Sequence, residues 1–297
     1  MSLVVNHNLM AGNIANSLNS HYGRLATSTQ RLSTGLRINS SADDAAGLAI
    51  RELMRSDIAT MQQGVRNAND AISLIQTADG ALGVIDEKLI RMKELAEQAA
   101  TGTYDSTQRL MIESEYQQMA SEITRIANAT DFNGIHLLNG NLSNDTHNGN
   151  DLTATGKMKI HFGTANDSAE DYYYIQIGSA TASSLGVGNE ADASKAKAFS
   201  VSTQAAAQRA LVGLTDAIVS KDKIRAHIGA MQNRLENTIT NLTTQAENLQ
   251  AAESRISDVD VATEMTNFVR NQILTQSAVA MLSQANSLPQ MAMQLIG

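Results

Sequence analysis

Apolar positions in both outer thirds of the chain recur in alternating steps of three and four residues. Near the start the series runs Ala15, Leu18, Tyr22, Leu25, Thr29, Leu32, Leu36; near the end it runs Leu274, Ala278, Met281, Ala285, Leu288, Ala292, Leu295. Sustained spacing of this kind marks helices packed along a shared seam. Pro289 predicts a local kink or a separately formed last turn in the second series. Inside these lie two longer stripes. One runs through Ala68, Ile72, Ile75, Ala78, Leu82, Ile85, Leu89, Met92, Ala96 and Ala99 and stops at Thr101-Gly102. A helix from about Asp43 to Ala100 would extend roughly 85 Å at the α-helical rise. The other runs from Ile224 through Ile228, Met231, Leu235, Thr238, Leu242, Gln245, Leu249 and Ala252 to Ile256, and a shorter helix carries Ile112, Tyr116, Met119, Ile123 and Ile126.

The middle of the chain changes character. Residues 131–190 are rich in Asn, Gly, Ser and Thr and hold two strand-like runs, Met158–Phe162 and Tyr172–Ile177, which predict a β-hairpin with a polar connection from Gly163 to Asp171. Asn144 to Asp151 reads as turn chemistry. The predicted fold is therefore mainly α: an elongated antiparallel helical bundle or coiled-coil rod built from both termini, with a small central β-hairpin region. The predicted divisions are 1–40 and 258–297 as the halves of an inner coiled-coil domain. A rod domain lies between them: 41–133 with a long and a shorter helix, 134–190 as its β-rich part, and 191–257 as its second long helix.

Composition sharpens this picture. Residues 1–23 hold two His and no Asp, Glu, Lys or Arg, residues 271–297 hold no charged side chain, and every charge lies between Arg24 and Arg270. Solvated tails are polar and charged, so ends patterned with Leu, Ile, Val and Met are built to be buried. The 297 residues include one Pro, no Cys, no Trp, four Phe and six Tyr. Few aromatics suit thin helical layers filled by Leu, Ile, Met and Ala, and scarce Pro permits long helices. The net charge of −8 argues against nucleic acid as a partner. Without Cys there is no disulfide framework, thiol nucleophile or thiolate metal site. No cleavable signal peptide and no bilayer-spanning apolar run is predicted.

Catalytic and metal chemistry find no constellation. Asp43 and Asp44, as neighbours on a helix, would diverge by about 100°; with Ser40-Ser41 before them they read as a capped helix start with acids in its first turn. His7, His21, His136, His147, His161 and His227 show no zinc-helix spacing. Asn144–Asp151 lacks the terminal Glu of a calcium loop, and Gly186-Val187-Gly188 is a lone GxG without a phosphate-binding context. Glu87, Arg91 and Glu94 form a modest ion-pair row on one helix face. No enzyme, cofactor or metal is predicted.

The segment Gln30–Ile50 (QRLSTGLRINSSADDAAGLAI) resembles the N-terminal signature of bacterial flagellins. Asp131-Phe132-Asn133-Gly134 with Ile135 to Gly140 resembles the turn after that family's shorter helix, and Glu253 to Gly297, with Ile256–Asp260 and Ser283–Asn286, is similar to its C-terminus. Many members carry large variable outer domains where this chain has only its short β region. The resemblance implies an extracellular subunit of the flagellar filament, exported without a cleaved signal through the flagellar type III apparatus. It also implies termini that order on assembly. Self-assembly is expected to rest on Leu18, Tyr22, Leu25, Leu32, Leu36, Leu274, Met281, Leu288 and Leu295. The implied partners are other copies of the chain, an export chaperone, the filament cap and hook–filament junction proteins. The family's host-recognition helix corresponds to Leu89–Glu97, placing Leu89, Arg91, Glu94 and Leu95, with Glu115 on the next helix, as contacts for Toll-like receptor 5. The alternatives are a minor flagellin or hook–filament junction protein and, from another class, an intracellular coiled-coil adaptor.

Overall fold

The structure, a computed structural model, describes residues 8–149, 155–168, 170–189 and 197–296, with side chains omitted at 155, 288, 289 and 292–296. In chain order the helices are α1 (Leu9–Thr34), α2 (Ala45–Ala100), α3 (Ser106–Ala129), α4 (Ala182–Leu185), α5 (Gln204–Ser257) and α6 (Val261–Ile296). Three antiparallel pairs of strands intervene between α3 and α4: β1 (Asp131–Phe132) with β2 (Ile135–His136), β3 (His147–Asn148) with β4 (Thr155–Gly156), and β5 (Met158–His161) with β6 (Tyr172–Ile175). The chain divides into two compact units, residues 1–58 with 247–297, and residues 59–246.

Local sequence sets the helix ends. Asn8 caps α1 by accepting from the Ala11 N–H at 3.0 Å, and Gly35, at φ 72°, closes it with its N–H on the Arg31 carbonyl at 2.9 Å. The start of α2 differs from the expected serine cap. Asp44 Oδ1 takes the Gly47 N–H at 2.9 Å, while Asp43 accepts from the Asn39 and Ser40 N–H groups and closes the turn before the helix. A carboxylate outcompetes a serine hydroxyl for these N–H donors because the bond is charge-assisted. Those bonds, from Asn39 first and then Ser40, hold the Asp43 carboxyl below the usual carboxylate range. α6 continues across Pro289, where the missing N–H removes one ladder bond.

In the first unit α1 packs against α6. The Asn8 amide donates to the Ala285 carbonyl at 2.9 Å and, at the other end, the Arg37 N–H donates to the Ser257 carbonyl at 2.7 Å, so the two helices run antiparallel. The inward positions are Ala11, Ile14, Leu18, His21, Leu25, Ser28 and Leu32 on α1, and Glu264, Phe268, Asn271, Thr275, Ala278, Leu282 and Ala285 on α6. This is a heptad seam, but its register differs from the apolar series. Leu18, Leu25, Leu32, Ala278 and Ala285 belong to both. His21 and Ser28 stand where Tyr22 and Thr29 were expected, and Thr275 and Leu282 where Leu274 and Met281 were. Small polar residues enter the seam because they satisfy themselves locally: the Thr275 hydroxyl donates to the Asn271 carbonyl at 2.7 Å.

The second unit has the opposite filling. Ile75, Ala78, Leu82, Ile85, Leu89, Met92, Leu95 and Ala96 of α2 pack with Tyr116 and Ile123 of α3 and with Ala210, Leu214, Ala217 and Leu235 of α5, all at most 1% exposed. Leu137, Leu138, Ile175 and Ile177 close this core from the β region. Tyr116 donates its hydroxyl to the Ala198 carbonyl at 2.6 Å, and burial pushes its phenol well above the usual tyrosine range. Two ion pairs link α2 to α5: Arg225 with Asp79 at 2.7 Å, and the buried Lys221 with Asp86 at 2.5 Å, the latter lysine also meeting Asp222 at 2.7 Å.

The β region adds more pairing than the single expected hairpin. β5 and β6 pair in the register Met158↔Ile175 to His161↔Tyr172, matching the predicted runs. Asn133 and Gly134, both at positive φ, make the two-residue turn of β1–β2. His147-Asn148, read from sequence as turn, forms the short strand β3. The hairpin β5–β6 meets α2 at Gly64, where any Cβ would collide with the Phe162 carbonyl, and Asn67 anchors it by donating to the His161 carbonyl at 2.8 Å. Gly186 and Gly188, the two glycines of the GxG, have a structural use: Gly186 caps α4 at φ 71°, and Gly188, at φ 70°, abuts Ala120.

Candidate assembly surface

With a partly polar seam on the inside, many large apolar side chains of the first unit are left outside. On α6 these include Val261, Met265, Val269, Ile273, Leu274 (38% exposed), Val279 and Met281 (57%); on α1 they include Leu9, Met10 and Tyr22 (50%). Apolar residues thus occupy α6 on its outer faces as well as in the seam. Exposed apolar side chains gathered along one element in this way mark an interaction surface. Of the residues expected to drive assembly, Tyr22, Leu274 and Met281 lie on this outer surface. Leu18, Leu25, Leu32 and Leu36 are half-buried, the first three in the α1–α6 seam and Leu36 beside it, bridging to Asp258. The side chains of Leu288 and Leu295 lie outside those described. The register shift could not be found by counting apolar residues; the signal lies in the Ser, Asn and Thr spaced in heptads between them.

On the second unit, the residues singled out for receptor contact separate into two groups. Arg91 reaches from α2 to Glu115 of α3 at 2.9 Å and to Glu94 at 3.0 Å, with all three side chains about half exposed. Glu115 first, and then Glu94, raise the Arg91 guanidinium further above its ordinary range. The expected Glu87–Arg91 pairing gives way to this bridge, in which Glu115 Oε1 accepts from both Nε and Nη2 of Arg91. Leu89 and Leu95 sit in the core, 0% and 1% exposed, so they hold the helix in place and present nothing to a partner. Ile90, at 48% exposed, supplies the apolar surface beside Arg91. Among the described residues no group of His, Asp or Glu is arranged to hold a metal ion, and no helix is long and apolar enough to cross a membrane.

Comparison with known proteins connects these surfaces to a family. The architecture matches a solved structure described as a flagellar hook-associated protein from Vibrio parahaemolyticus, with a TM-score of 0.55 at 15% identity, over 73% of this chain and 100% of that one. Residues 5–143 match the family model for the bacterial flagellin N-terminal helical region, and residues 211–296 that for the bacterial flagellin C-terminal helical region. The flagellar filament 33 kDa core protein of Treponema phagedenis is 40% identical over 99% of this chain and 100% of its own length. The flagellin of Bacillus subtilis strain 168 is 42% identical over 98% and 99% respectively. With both terminal regions matched and full-length relatives above 30% identity, the chain belongs to the bacterial flagellin family.

Proposed function

We propose that this flagellin polymerises into the flagellar filament by covering the outer apolar faces of α1 and α6 with the same helices of neighbouring copies. It is a structural filament subunit serving motility, not an enzyme. The observation that carries the mechanism is the distribution on α6: Glu264, Asn271 and Thr275 share the seam with Phe268, Ala278, Leu282 and Ala285, while Met265, Val269, Ile273, Leu274, Val279 and Met281 face outward. Heterologous contacts whose rotation does not close on itself give an open helical polymer. In this reading residues 1–40 and 258–297 form the inner domain of the subunit, the filament lies outside the cell, and the cap, the hook–filament junction and an export chaperone meet the terminal helices. An intracellular adaptor would close its seam in a discrete dimer and leave no such outer face. The test is assembly of the purified chain, followed by sedimentation and electron microscopy. Filaments are expected from the wild type, and none from Met281→Lys at the same concentration. Discrete dimers from the wild type would overturn the reading.

The surface around Arg91, Glu94, Glu115 and Ile90 is the proposed contact for Toll-like receptor 5. Receptor activation by purified monomer is expected to fall on Arg91→Ala; equal signalling from both would remove Arg91 from that role.

A further inference from the structure

Arg24 and Arg270 are the outermost charged residues of the sequence, one at each end, and the fold brings them to a single groove. They line it with Arg31 of α1 and with Glu264 and Asn267 of α6, around a volume of about 520 Å³. Its electrostatics are incomplete. Arg31 meets two carboxylates, Asp43 and Glu264, both at 3.9 Å, the outer limit of an ion pair, and its buried Nε has no partner. Arg24 and Arg270 make no ion pair or hydrogen bond among the described residues. Three guanidiniums therefore share one lining carboxylate in a chain whose net charge is −8.

A guanidinium fork recognises carboxylates through paired N–H donors, and an orphaned buried Nε is one half of such a fork. Leaving it unmade is costly when water is excluded. Beyond Arg24 towards the start of the chain, and beyond Arg270 towards its end, neither helix offers an acid. The same unit holds three acids, Asp57, Glu247 and Glu253, with neither an ion pair nor a side-chain hydrogen bond among the described residues.

We infer that the Arg24–Arg31–Arg270 groove is a socket for a carboxylate of a second copy of this chain. The inference rests on the filament reading above. It adds to the apolar contact a charged one that fixes the register of neighbouring subunits, since apolar faces alone slide. Charge complementarity sets the direction: each copy offers one socket and carries its own unpaired acids, the arrangement a heterologous polymer needs.

The experiment measures the critical concentration for filament assembly of the full chain and of the double variant Arg24→Gln, Arg270→Gln, which keeps polar side chains of similar length. Thermal unfolding by far-UV circular dichroism checks that the helices remain. The expected result is a critical concentration raised at least tenfold, with a weaker dependence on salt than the wild type. A second arm uses Arg24→Glu, Arg270→Glu, expected not to assemble alone but to co-assemble with the triple variant Asp57→Lys, Glu247→Lys, Glu253→Lys. A double Gln variant assembling at the wild-type concentration and salt dependence overturns the socket. Failure of the reversed pair to co-assemble overturns the assignment to these acids. A wild type that forms no filaments would instead overturn the filament reading.

Discussion

The two units of this flagellin are built from the same kinds of helix and filled in opposite ways. The unit of residues 59–246 buries a continuous aliphatic core, with Leu82, Ile85, Leu89 and Met92 all fully buried. The unit of the two chain ends puts Ser28, Glu264, Asn271 and Thr275 inside and Val269, Ile273, Leu274 and Met281 outside. The first distribution describes a body that is stable by itself. The second describes half of an interface, whose hydrophobic stabilisation is released only when another surface arrives. A helical hairpin of two strands has one seam and little else to hold it. Placing so many apolar side chains away from that seam makes sense when assembly, not folding of the single chain, is the state to be stabilised.

The comparison predicts effects of graded size. The largest is all-or-none: Met281→Lys or Leu274→Lys buries a charge in every intersubunit contact and is expected to abolish filaments, since an unpaired charge in an apolar contact is prohibitive. Thermal melting of the monomer's main transition should stay unchanged, because neither side chain is in the core of residues 59–246. A lowered melting temperature would mean that the two regions are not energetically distinct. Next, Leu82→Ala should cost about 2–5 kcal/mol in monomer stability, read by denaturant unfolding. A smaller loss would place the aliphatic core outside the stabilising role assigned to it.

Tyr116→Phe is expected to cost about 0.5–1.5 kcal/mol by removing one of the two donors to the buried Ala198 carbonyl, which keeps the Gly188 N–H at 2.9 Å, again read in unfolding and not in assembly. The smallest effect concerns Asp43. Its carboxyl is depressed by the Asn39 and Ser40 N–H groups, so the stability it contributes is complete above the usual carboxylate value of about 4 and is lost as pH falls through the lowered folded value. Amide chemical shifts of Asn39 and Ser40 should titrate with a midpoint below that of an ordinary Asp, and Asp43→Asn should remove the titration. A midpoint near the ordinary value would show that the turn exerts no hold on the carboxylate.

Sequence disclosed these regions unequally. The stripe on α2 was legible from Ala68 to Ala99 because its inward positions are apolar throughout and the chain outside them is mostly polar, Val84 and Ile90 excepted. The Asn133-Gly134 turn was reached through the family resemblance; two adjacent positive φ angles are the physical reason those residues stand there. The seam of α1 and α6 was misplaced because α6 is apolar on several sides, so periodicity has no single phase; the polar members of the seam carry the information instead. The first half of α5 was quiet because Ala207, Ala210 and Ala217 contribute little hydrophobic contrast although they are fully buried. Two-residue strands such as β3 and β4 fall below any periodic signal. For the candidate sites, the charge-free ends pointed to assembly, but the meeting of Arg24 with Arg270 depended on antiparallel register, which only coordinates supply.

The contact at Gly64 bears on how such a chain can grow. The hairpin β5–β6 is held to α2 backbone against backbone, and its mouth is tied shut by the Phe162 and Gly163 N–H groups on the Asp171 carbonyl, both at 2.9 Å. These bonds close the hairpin at the start of its connecting loop. Residues 164–168 lie beyond that tie, and lengthening a flexible loop costs only about 0.6 kcal/mol per doubling. A domain whose ends lie close together, inserted there, is expected to leave the helices in place. Gly64 is thus the fixed point about which a lineage could vary its outer sequence while keeping one inner scaffold.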